Sequence, residues 1–473
     1  MQTHFSEAQR ADPAIRHVDT ILRACVHCGF CTATCPTFAL LGDECDSPRG
    51  RIYLIKDMLE NERAPTESDV RHVDRCLSCL ACMTTCPSGV NYMHLVDHAR
   101  TYIEEKHTRP LGDRLLRGVL AAVLPHPRRF RLSLTAARLA APLATLMRPR
   151  AAASPAPAAP AGSAAPAIVN RARRNAPGAG FLERVGAMLA LAPRHMPPAS
   201  AAPRPGVFAP EGPRRARVAL LTGCAQSVLA PSINEATIRV LNRAGVEVVL
   251  PQGEGCCGAL VHHMGKAERS HAAAKANIDA WQREIDGVGL DAIIITASGC
   301  GTTIKDYGFM LSQDPAYADK AARISALAKD ITEFVSGLDM APPVRTSDVA
   351  VAYHSACSMQ HGQKIRREPK ALLEAAGFTV RDVAEGHLCC GSAGTYNIMQ
   401  PGIAAELKAR KLANLDATGA GIVATGNIGC MTQLGSGPQP VVHTIELIDW
   451  AQGGPEPAAA QGRLTASAPP VAA

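Results

Sequence analysis

The chain has 473 residues and a formal net charge of +7, with 47% apolar and 19% charged residues. Its length predicts several domains, and its apolar content excludes a wholly disordered chain. Aromatic residues make up only 4% of it, which argues against a nucleic-acid platform that stacks bases on aromatic rings.

The N-terminus lacks the charged and then apolar pattern of a signal peptide. No apolar run reaches the roughly 18 residues of a membrane-spanning helix. We therefore expect a cytoplasmic chain, in which disulfides do not persist. The 17 cysteines then indicate metal or redox chemistry. A secreted disulfide scaffold is disfavoured, because the number of cysteines is odd and the signal is missing.

Two runs of four cysteines lie near the N-terminus, each with the spacing Cys-x-x-Cys-x-x-Cys-x-x-x-Cys-Pro of bacterial ferredoxins. The runs are Cys25, Cys28, Cys31, Cys35 and Cys76, Cys79, Cys82, Cys86. In two-cluster ferredoxins the last cysteine of a run ligates the cluster of the other run. The sequence therefore assigns one [4Fe–4S] cluster to Cys25, Cys28, Cys31 and Cys86, and a second to Cys76, Cys79, Cys82 and Cys35.

This spacing favours iron over zinc, because the four ligands of a zinc site usually come as two pairs. The flanking segments 18–24 and 70–75 are helix-prone, so residues 1–110 are predicted as a mostly helical module with two clusters. Cys45 lies outside both runs and is expected to be a buried or partly buried free thiol. In the turn that follows it, Arg49 and Arg51 are candidates for raising the potential of a cluster.

Residues 111–150 form a basic connector with eight arginines and one acid, Asp113. Leu and Ala recur at helical intervals, with a break at Pro125 and Pro127. Two interpretations stay open: a solvated helix pair packed on the body, or a basic amphipathic surface for a membrane or an acidic partner. Residues 151–207 follow as an Ala/Pro-rich linker with one short helix at 181–191.

Cysteines also mark an internal repeat in the C-terminal half. The first unit contains Cys224, Cys256, Cys257 and Cys300, and the second contains Cys357, Cys389, Cys390 and Cys430. The first three positions are offset by 133 residues and the last by 130. We interpret the repeat as two duplicated Cys-Cys-Gly domains, at 208–342 and 343–454, before a disordered tail at 455–473.

Each repeat cysteine, or cysteine pair, follows a strand-like run, and helix-like segments such as 234–244 and 403–415 lie between. The strand-like runs are residues 217–222, 246–250, 292–296, 348–353, 378–383 and 422–425. This alternation predicts α/β domains with parallel strands, in a multidomain α+β chain. Because ligands of such sheets bind outside the carboxyl ends of the strands, we expect the four cysteines of each unit to converge there as a further iron–sulfur site.

Adjacent cysteines on a strand point to opposite faces, so each Cys-Cys-Gly pair suits a loop around a cluster, with Gly258 and Gly391 allowing close backbone approach. The alternative is eight buried structural thiols. A Gly-x-Gly-x-x-Gly pattern ends at Gly258, but no acidic residue ends a second strand about 20 residues on, so no nicotinamide or flavin site is predicted. His387 is a candidate for tuning a cluster through a hydrogen bond. The other nearby histidines are interpreted as ordinary polar contacts: His262, His263, His354 and His443.

Two ferredoxin runs joined to two Cys-Cys-Gly domains resemble the iron–sulfur subunits related to heterodisulfide reductase. Within that group the chain is similar to the glycolate oxidase iron–sulfur subunits. The resemblance covers nearly the whole chain outside the linker. It is most specific in residues 22–36, 48–54, 296–301 and 387–396.

The resemblance implies an electron-transfer role. In that family a flavin-bearing partner oxidises glycolate to glyoxylate, and the iron–sulfur subunit passes the electrons toward the respiratory quinone pool. The chain would then have no catalytic residues and no substrate site of its own. Its location would be the cytoplasm or the inner face of the cytoplasmic membrane, and nucleic acid is not an expected partner.

One feature departs from the heterodisulfide reductase form, which has a further cysteine three residues after the last one of each unit. Here Thr303 and Gln433 stand at those positions, so each unit offers four thiolates, and a conventional cluster and an empty site stay open. Three other functions also stay open. They are the equivalent subunit for lactate or glycerol-3-phosphate oxidation, a disulfide-reducing thiol enzyme, and a scaffold whose clusters only hold the fold.

Overall fold

A computed structural model describes residues 1–139, 180–193, 195–198 and 204–465. The rest of the chain lies outside the described residues, including 140–150 of the basic connector, most of the predicted linker and 466–473 of the predicted tail. In the described part, no helix has the length and apolarity needed to cross a bilayer.

The N-terminal module is mostly helical, as the sequence predicts, because polar caps start its helices and their apolar faces meet in one core. Asp12 caps the helix that begins at Pro13, and Thr66 forms a reciprocal capping box with Asp69. Leu22 and Ile55 lie fully buried in the core. The helices are α1 (Glu7–Ala11), α2 (Pro13–Ala24), α3 (Pro36–Leu41), α4 (Pro48–Glu60), α5 (Glu67–Asp74), α6 (Ala81–Thr85) and α7 (Tyr92–Lys106), with 3-10 turns at Phe30–Thr32 and Glu44–Asp46.

The described part of the basic connector folds as two helices, α8 (Leu111–Val123) and α9 (Pro127–Leu139), with the break that the prolines predict. Leu116 of α8 packs against the second Cys-Cys-Gly unit, and Phe130 of α9 packs against the first. A short helix, α10 (Phe181–Ala190), lies where the sequence predicts one. The connector is therefore packed on the body through one face, and its other face is exposed.

The first Cys-Cys-Gly unit is built on a five-stranded sheet of order β1–β3–β2–β4–β5. β1 runs antiparallel to β3, and the other neighbours are parallel. The strands are β1 (Gly206–Phe208), β2 (Ala216–Leu220), β3 (Val246–Leu250), β4 (Ala292–Ile295) and β5 (Ala328–Asp330). The helices are α11 (Gln226–Leu229), α12 (Ser232–Arg243), α13 (Ala259–His262), α14 (Ala267–Asp286), α15 (Ser298–Lys305), α16 (Tyr307–Met310), α17 (Ala318–Leu327) and α18 (Ile331–Val335).

The second Cys-Cys-Gly unit repeats this plan on a four-stranded, fully parallel sheet of order β7–β6–β8–β9. Its strands are β6 (Val351–Tyr353), β7 (Val380–Arg381), β8 (Ile422–Thr425) and β9 (Val441–His443). Its helices are α19 (Glu368–Ala375), α20 (Tyr396–Met399), α21 (Pro401–Asp416), α22 (Ile428–Leu434) and α23 (Thr444–Ala451), with a π-turn at Ser358–Gln363 and a 3-10 turn at Ala458–Ala460. The predicted class, a helical module followed by two α/β domains, is confirmed.

The two sheets share one apolar core, in which Val218 of the first lies with Val351 of the second. The start of the predicted disordered tail differs from the prediction. Residues 455–465 are ordered against this core, because Ala460 and Leu464 are apolar side chains that bury in it.

Polar contacts join the three parts of the molecule close to the cysteines. Ser298 and Ser358, one from each unit, share a hydrogen bond of 2.7 Å between hydroxyls. Thr84 of the helical module contacts His361 of the second unit, also at 2.7 Å. Since these residues are near neighbours of Cys300, Cys357 and Cys82 in the sequence, the cysteine-bearing segments lie where the three parts meet.

Candidate metal centres

The two ferredoxin loops share one backbone conformation. In each loop, the second and the fourth residue after the first cysteine have a positive φ. These are His27 (56°) and Gly29 (86°) in the first loop, and Ser78 (50°) and Leu80 (62°) in the second. Left-handed residues turn the chain sharply. Each loop therefore curls around one centre, toward which its first three thiols turn.

Each loop lines a cavity together with the last cysteine of the other run. A first cavity is lined by Cys25, Cys28, Cys31 and Cys86, and a second by Cys35, Cys76 and Cys79. Cys82 lines both, so the cavities lie side by side. This grouping is the one that the crossed assignment requires, and the assignment of individual ligands stays a prediction.

The thiols in these cavities are set up for a metal rather than for free thiol chemistry. Burial raises the pKa of Cys31 to about 11 and that of Cys79 and Cys82 well above the usual range. Such thiols remain protonated at neutral pH unless a metal replaces the proton. Soft sulfur donors around a cavity are what an iron–sulfur cluster requires, so the residues fit that group.

A buried ionic network supports the second cavity. Arg51 lines this cavity and is 1% exposed. Its guanidinium donates to the hydroxyl of Thr37 at 3.0 Å and lies 3.4 Å from a carboxylate oxygen of Asp46. The same carboxylate contacts His72 at 2.9 Å and Arg75 at 2.8 Å. Asp46 thus holds two arginines, one of them at the cavity. Buried positive charge there stabilises the reduced cluster, which carries the greater negative charge, and so raises its reduction potential.

The predicted turn that carries Arg49 and Arg51 is instead the start of α4, because Ser47 caps a helix that begins at Pro48. Arg49 lines the first cavity and pairs with Glu44, with 2.7 Å between nitrogen and oxygen. The two candidate arginines are therefore placed one at each cavity. Cys45 is partly exposed and lines neither cavity, which agrees with its prediction as a free thiol.

In the first Cys-Cys-Gly unit, four thiols converge at the carboxyl ends of the strands. Cys224 follows β2, the pair Cys256–Cys257 follows β3, and Cys300 lies in α15 behind β4. Hydrogen bonds link these thiols in that order, and those that Cys256 receives hold its pKa below the usual range. The backbone N–H of Gly258 donates to the Cys256 sulfur at 3.4 Å. This set can also hold a metal centre.

In the second unit the four thiols form an equivalent group. The sulfurs of Cys357 and Cys389 are 3.8 Å apart, and those of Cys390 and Cys430 are 3.5 Å apart. The backbone N–H of Gly391 donates to the Cys389 sulfur at 3.4 Å, as Gly258 does in the first unit. The expectation that each unit brings its four cysteines together agrees with the geometry, and their role as ligands stays a prediction.

The two units differ in a buried side chain behind their thiols. The glycine of each Cys-Cys-Gly segment packs against a carbonyl of the following long helix, at Ser270 in the first unit and Ala404 in the second. Counted along the helix from this contact (270 to 277 and 404 to 411), Asn277 and Lys411 occupy corresponding positions. Asn277 is a neutral amide, whereas Lys411 carries an ammonium group that is 2% exposed and donates to the carbonyl of Glu385 at 2.8 Å. Only the second of these two positions carries a buried cation.

A second difference lies at the end of the first strand of each sheet. The backbone N–H of His354 donates to the carbonyl of Ala424 at 2.8 Å, and Leu221 makes the same bond to Ile294 at 3.0 Å. His354 therefore stands where the first unit has a leucine. Its ring is buried, and burial together with the charge of Lys411 lowers its pKa to about 3. His354 is a neutral imidazole at physiological pH.

The second ferredoxin cavity adjoins the second Cys-Cys-Gly unit. Cys79 shares one apolar cluster with Cys389 and Tyr396, and Cys357 packs on the same cluster. The Tyr396 hydroxyl donates to the carbonyl of Arg75 at 3.0 Å and fixes this contact. The thiols of one ferredoxin site and one repeat unit are thus direct neighbours.

Reasoning from sequence missed three functional candidates, namely Asp46, Lys411 and His354. For His354 a signal was present in the sequence, because an alignment of the two repeat units places it opposite Leu221. Asp46 carries no such signal, because two of its partners, His72 and Arg75, are 26 and 29 residues away along the chain. His387, predicted to tune a cluster, offers its carbonyl to the His361 ring at 3.3 Å.

Family models match the chain in three segments. Residues 21–90 match the 4Fe-4S dicluster domain, and residues 218–305 and 351–435 each match the Cysteine-rich domain. The chain therefore carries iron–sulfur clusters, and the duplication inferred from the cysteine spacing is confirmed.

Several known proteins resemble the chain over much of its length. The glycolate oxidase iron-sulfur subunit of Escherichia coli (strain K12) is 42% identical over 95% of this chain and 99% of its own. The probable glycolate oxidase iron-sulfur subunit of Bacillus subtilis (strain 168) is 31% identical over 91% of this chain and 94% of its own. Lactate utilization protein A of the same organism is 26% identical over 46% of this chain and 90% of its own.

One solved structure, a hypothetical protein from Helicobacter pylori, shares the fold. Its TM-score is 0.51 at 10% sequence identity, and the match covers 96% of this chain and 74% of that one. At this identity the likeness concerns the fold alone.

Proposed function

The chain belongs to the family of glycolate oxidase iron–sulfur subunits, and from this membership we propose that it is the electron-transfer subunit of a complex that oxidises glycolate to glyoxylate. A flavin-containing partner would carry the substrate site, and the electrons would leave toward the quinone pool of the respiratory chain. Full-length similarity to two such subunits supports glycolate. The shorter match to lactate utilization protein A keeps lactate as the second candidate.

The observation that carries the proposal is the adjacency of the thiol sites. The two ferredoxin cavities share Cys82, and Cys79 of the second one lies in one apolar cluster with Cys389 of the second Cys-Cys-Gly unit. When bound, iron–sulfur clusters accept and release single electrons. We propose that the eight ferredoxin cysteines bind two [4Fe–4S] clusters in the crossed pattern and that the cysteines of the repeat units bind further iron. The residues of the chain hold these sites close to one another.

In the second Cys-Cys-Gly unit, burial weakens the alternative of a thiol enzyme. Cys389, Cys390 and Cys430 are each 1–2% exposed, and burial and neighbouring thiols raise the pKa of Cys389 and Cys390 well above the usual range. Disulfide exchange needs an accessible thiolate. These thiols are better suited to holding a metal than to attacking a disulfide.

We also propose that the connector touches the inner face of the cytoplasmic membrane. Leu111, Leu115 and Val119 lie one turn apart on α8 and are 81%, 60% and 43% exposed. Arg114 on the same helix and Arg128 on α9 are also exposed. Exposed apolar side chains with flanking arginines suit a surface of anionic lipids. An acidic face of a partner subunit is the competing occupant, and vesicle binding distinguishes the two.

The test of the proposed function uses the chain together with its flavin-containing partner. Anaerobic glycolate should reduce the flavin and then produce the EPR signals of reduced clusters in this chain, and lactate and glycerol-3-phosphate should do so more slowly. Flavin reduction without any cluster signal would contradict electron transfer through the chain. A faster response to lactate would instead move the substrate to the second candidate.

A further inference from the structure

His354 is a buried histidine whose ring is incompletely satisfied. It is 2% exposed, and among the described residues its Nε2 atom has no hydrogen-bond partner. An unpaired ring nitrogen in a buried position is costly unless something occupies it. The ring therefore points to a group that binds at this place.

The atoms that face this ring are thiols. An imidazole nitrogen of His354 and the sulfurs of Cys390 and Cys430 all lie within 4.8 Å of one another. Cys357 and Cys389 complete the group, with their own sulfurs 3.8 Å apart. The second unit thus collects four thiols and one imidazole in one buried place.

The residue at the position of the fifth cysteine is not available as a metal ligand in this unit. Gln433 stands there, and its amide oxygen accepts a hydrogen bond from Asn397 at 3.0 Å while its amide nitrogen donates to the carbonyl of Ala404 at 3.3 Å. Both ends of this side chain are therefore engaged within the protein. His354 approaches the thiols from a different element, the end of β6.

We propose that His354 is a fifth protein ligand of an iron centre held by the cysteines of the second Cys-Cys-Gly unit. The first unit, with Leu221 at the corresponding position, holds its centre by thiolates alone. The inference rests on the proposed binding of iron by the repeat units. It makes the two duplicated sites chemically different, although their cysteine patterns are the same.

The neighbouring ferredoxin site favours iron over zinc at this place. Cys79 of the second ferredoxin cavity lies in the same apolar cluster as Cys389, so a redox centre here would continue the line of electron carriers. A neutral imidazole supplies the further ligand without the negative charge that a fifth thiolate would add, so the reduction potential of the centre is higher than that of a five-thiolate centre. The nearby ammonium of Lys411 also stabilises the reduced form.

The experiment compares the wild-type chain with His354→Gln and His354→Cys, purified anaerobically with its partner. Iron content, zinc content and pulsed EPR of the partly reduced protein are measured. The wild type should contain clearly more iron than the roughly 8 atoms of two ferredoxin clusters, no stoichiometric zinc, and a ¹⁴N coupling to a centre other than those clusters. His354→Gln should lose that coupling, and His354→Cys should lose it while keeping the iron.

His443→Gln is the matched control. His443 is as buried as His354, but both its ring nitrogens have partners, the N–H of Ile445 and the carbonyl of Thr296. This variant should keep the ¹⁴N coupling. If the coupling survives in His354→Gln, or if one zinc atom replaces the additional iron, the proposal is overturned. A wild type with only the two ferredoxin clusters overturns it as well. Reduction of those clusters by glycolate would still support the electron-transfer function.

Discussion

A substitution of Cys86 tests the crossed ligand assignment, because it removes one sulfur ligand. Cys86 belongs to the second run but lines the cavity of the first loop, together with Cys25. Cys86→Ser should therefore remove the cluster of the first cavity, with a loss of about 4 Fe per chain, and leave the EPR signal of the second intact. Cys45→Ser, which alters a thiol outside both cavities, is the control and should leave both signals unchanged. An intact first cluster in Cys86→Ser would contradict the crossed assignment.

Lys411 allows a prediction about potential. Its buried ammonium lies near the thiols of Cys390 and Cys389 and has no charged counterpart at Asn277 of the first unit. Lys411→Met should lower the reduction potential of the second unit's centre by about 60 mV, a tenfold change for one electron, because positive charge stabilises the reduced form. Potentiometric EPR titration measures this shift.

Two observations separate this effect from a general loss of structure. The stability of Lys411→Met should fall by no more than about 1–3 kcal/mol, because the carbonyl of Glu385 loses one hydrogen bond, and the iron content should stay that of the wild type. Lys275→Met, at a surface lysine of the first unit, should not move the potential. An unchanged potential in Lys411→Met would show that the ammonium does not act on the centre.

At the scale of elements, a titratable contact joins α7 to the first Cys-Cys-Gly unit. Asp97 lies 3.2 Å from the Nε2 atom of His262 and 3.6 Å from the Nδ1 atom of His263. Burial lowers the pKa of His262, but the charge of Asp97 outweighs it, so the pKa is raised. For His263 burial dominates, and the pKa is lowered.

These shifts predict opposite pH dependences. A histidine with a raised pKa contributes stability below about pH 6.5 and loses it as the pH rises through the folded-state pKa. The difference in Tm between wild type and His262→Gln, about 2–4 °C near pH 6, should therefore shrink by pH 9. For His263→Gln the difference should grow as the pH rises toward 6.5 and stay constant above it, because the ring is then neutral in both the folded and the unfolded chain. Calorimetry between about pH 5 and pH 9 checks both, and parallel curves for the two variants would contradict the assignment.

The secondary-structure elements show what a sequence pattern can and cannot predict. The strands β3 and β8 were predicted with the bounds that the structure gives them, because each is a short run rich in β-branched residues in front of a cysteine. The strands β1, β5 and β9 were missed. They are only three residues long, and their pairing with longer neighbours, not their own pattern, makes them strands.

At the scale of the whole molecule, iron content decides how many of the thiol sites carry clusters. About 8 Fe per chain would restrict iron to the ferredoxin cavities, and roughly 12 to 16 Fe would include one or both repeat units. We expect the higher range, because both repeat units bring four thiols together at the carboxyl ends of their strands. Iron and sulfide analysis of the anaerobically purified chain, with EPR before and after dithionite, measures it.

The exposed face of α8 predicts binding to lipid. Leu111→Gln combined with Leu115→Gln should weaken binding to anionic vesicles about tenfold, which corresponds to a loss of roughly 1.4 kcal/mol. Val288→Gln changes an apolar residue that is 66% exposed in the first unit and should leave binding unchanged. Vesicle flotation at several salt concentrations measures the effect. Absence of vesicle binding by the wild type, with binding to the partner lost in the double variant, would assign the face to a protein contact.

The sequence by itself determined the chemistry of this protein, since cysteine spacing is a local property that a linear pattern records. The two ferredoxin runs, the duplicated Cys-Cys-Gly units and the order of helical and α/β parts all followed from it. The domain boundaries and the ligand assignments are still predictions.

Only the tertiary structure decided which sites are neighbours. Cys79 and Cys389 share one apolar cluster, Lys411 and His354 stand behind one set of thiols and not the other, and Asp46 holds Arg75 from the end of α5. These relations join residues tens to hundreds of positions apart along the chain. They arise because the apolar faces of sheets and helices must bury against each other, and no local pattern records which faces meet.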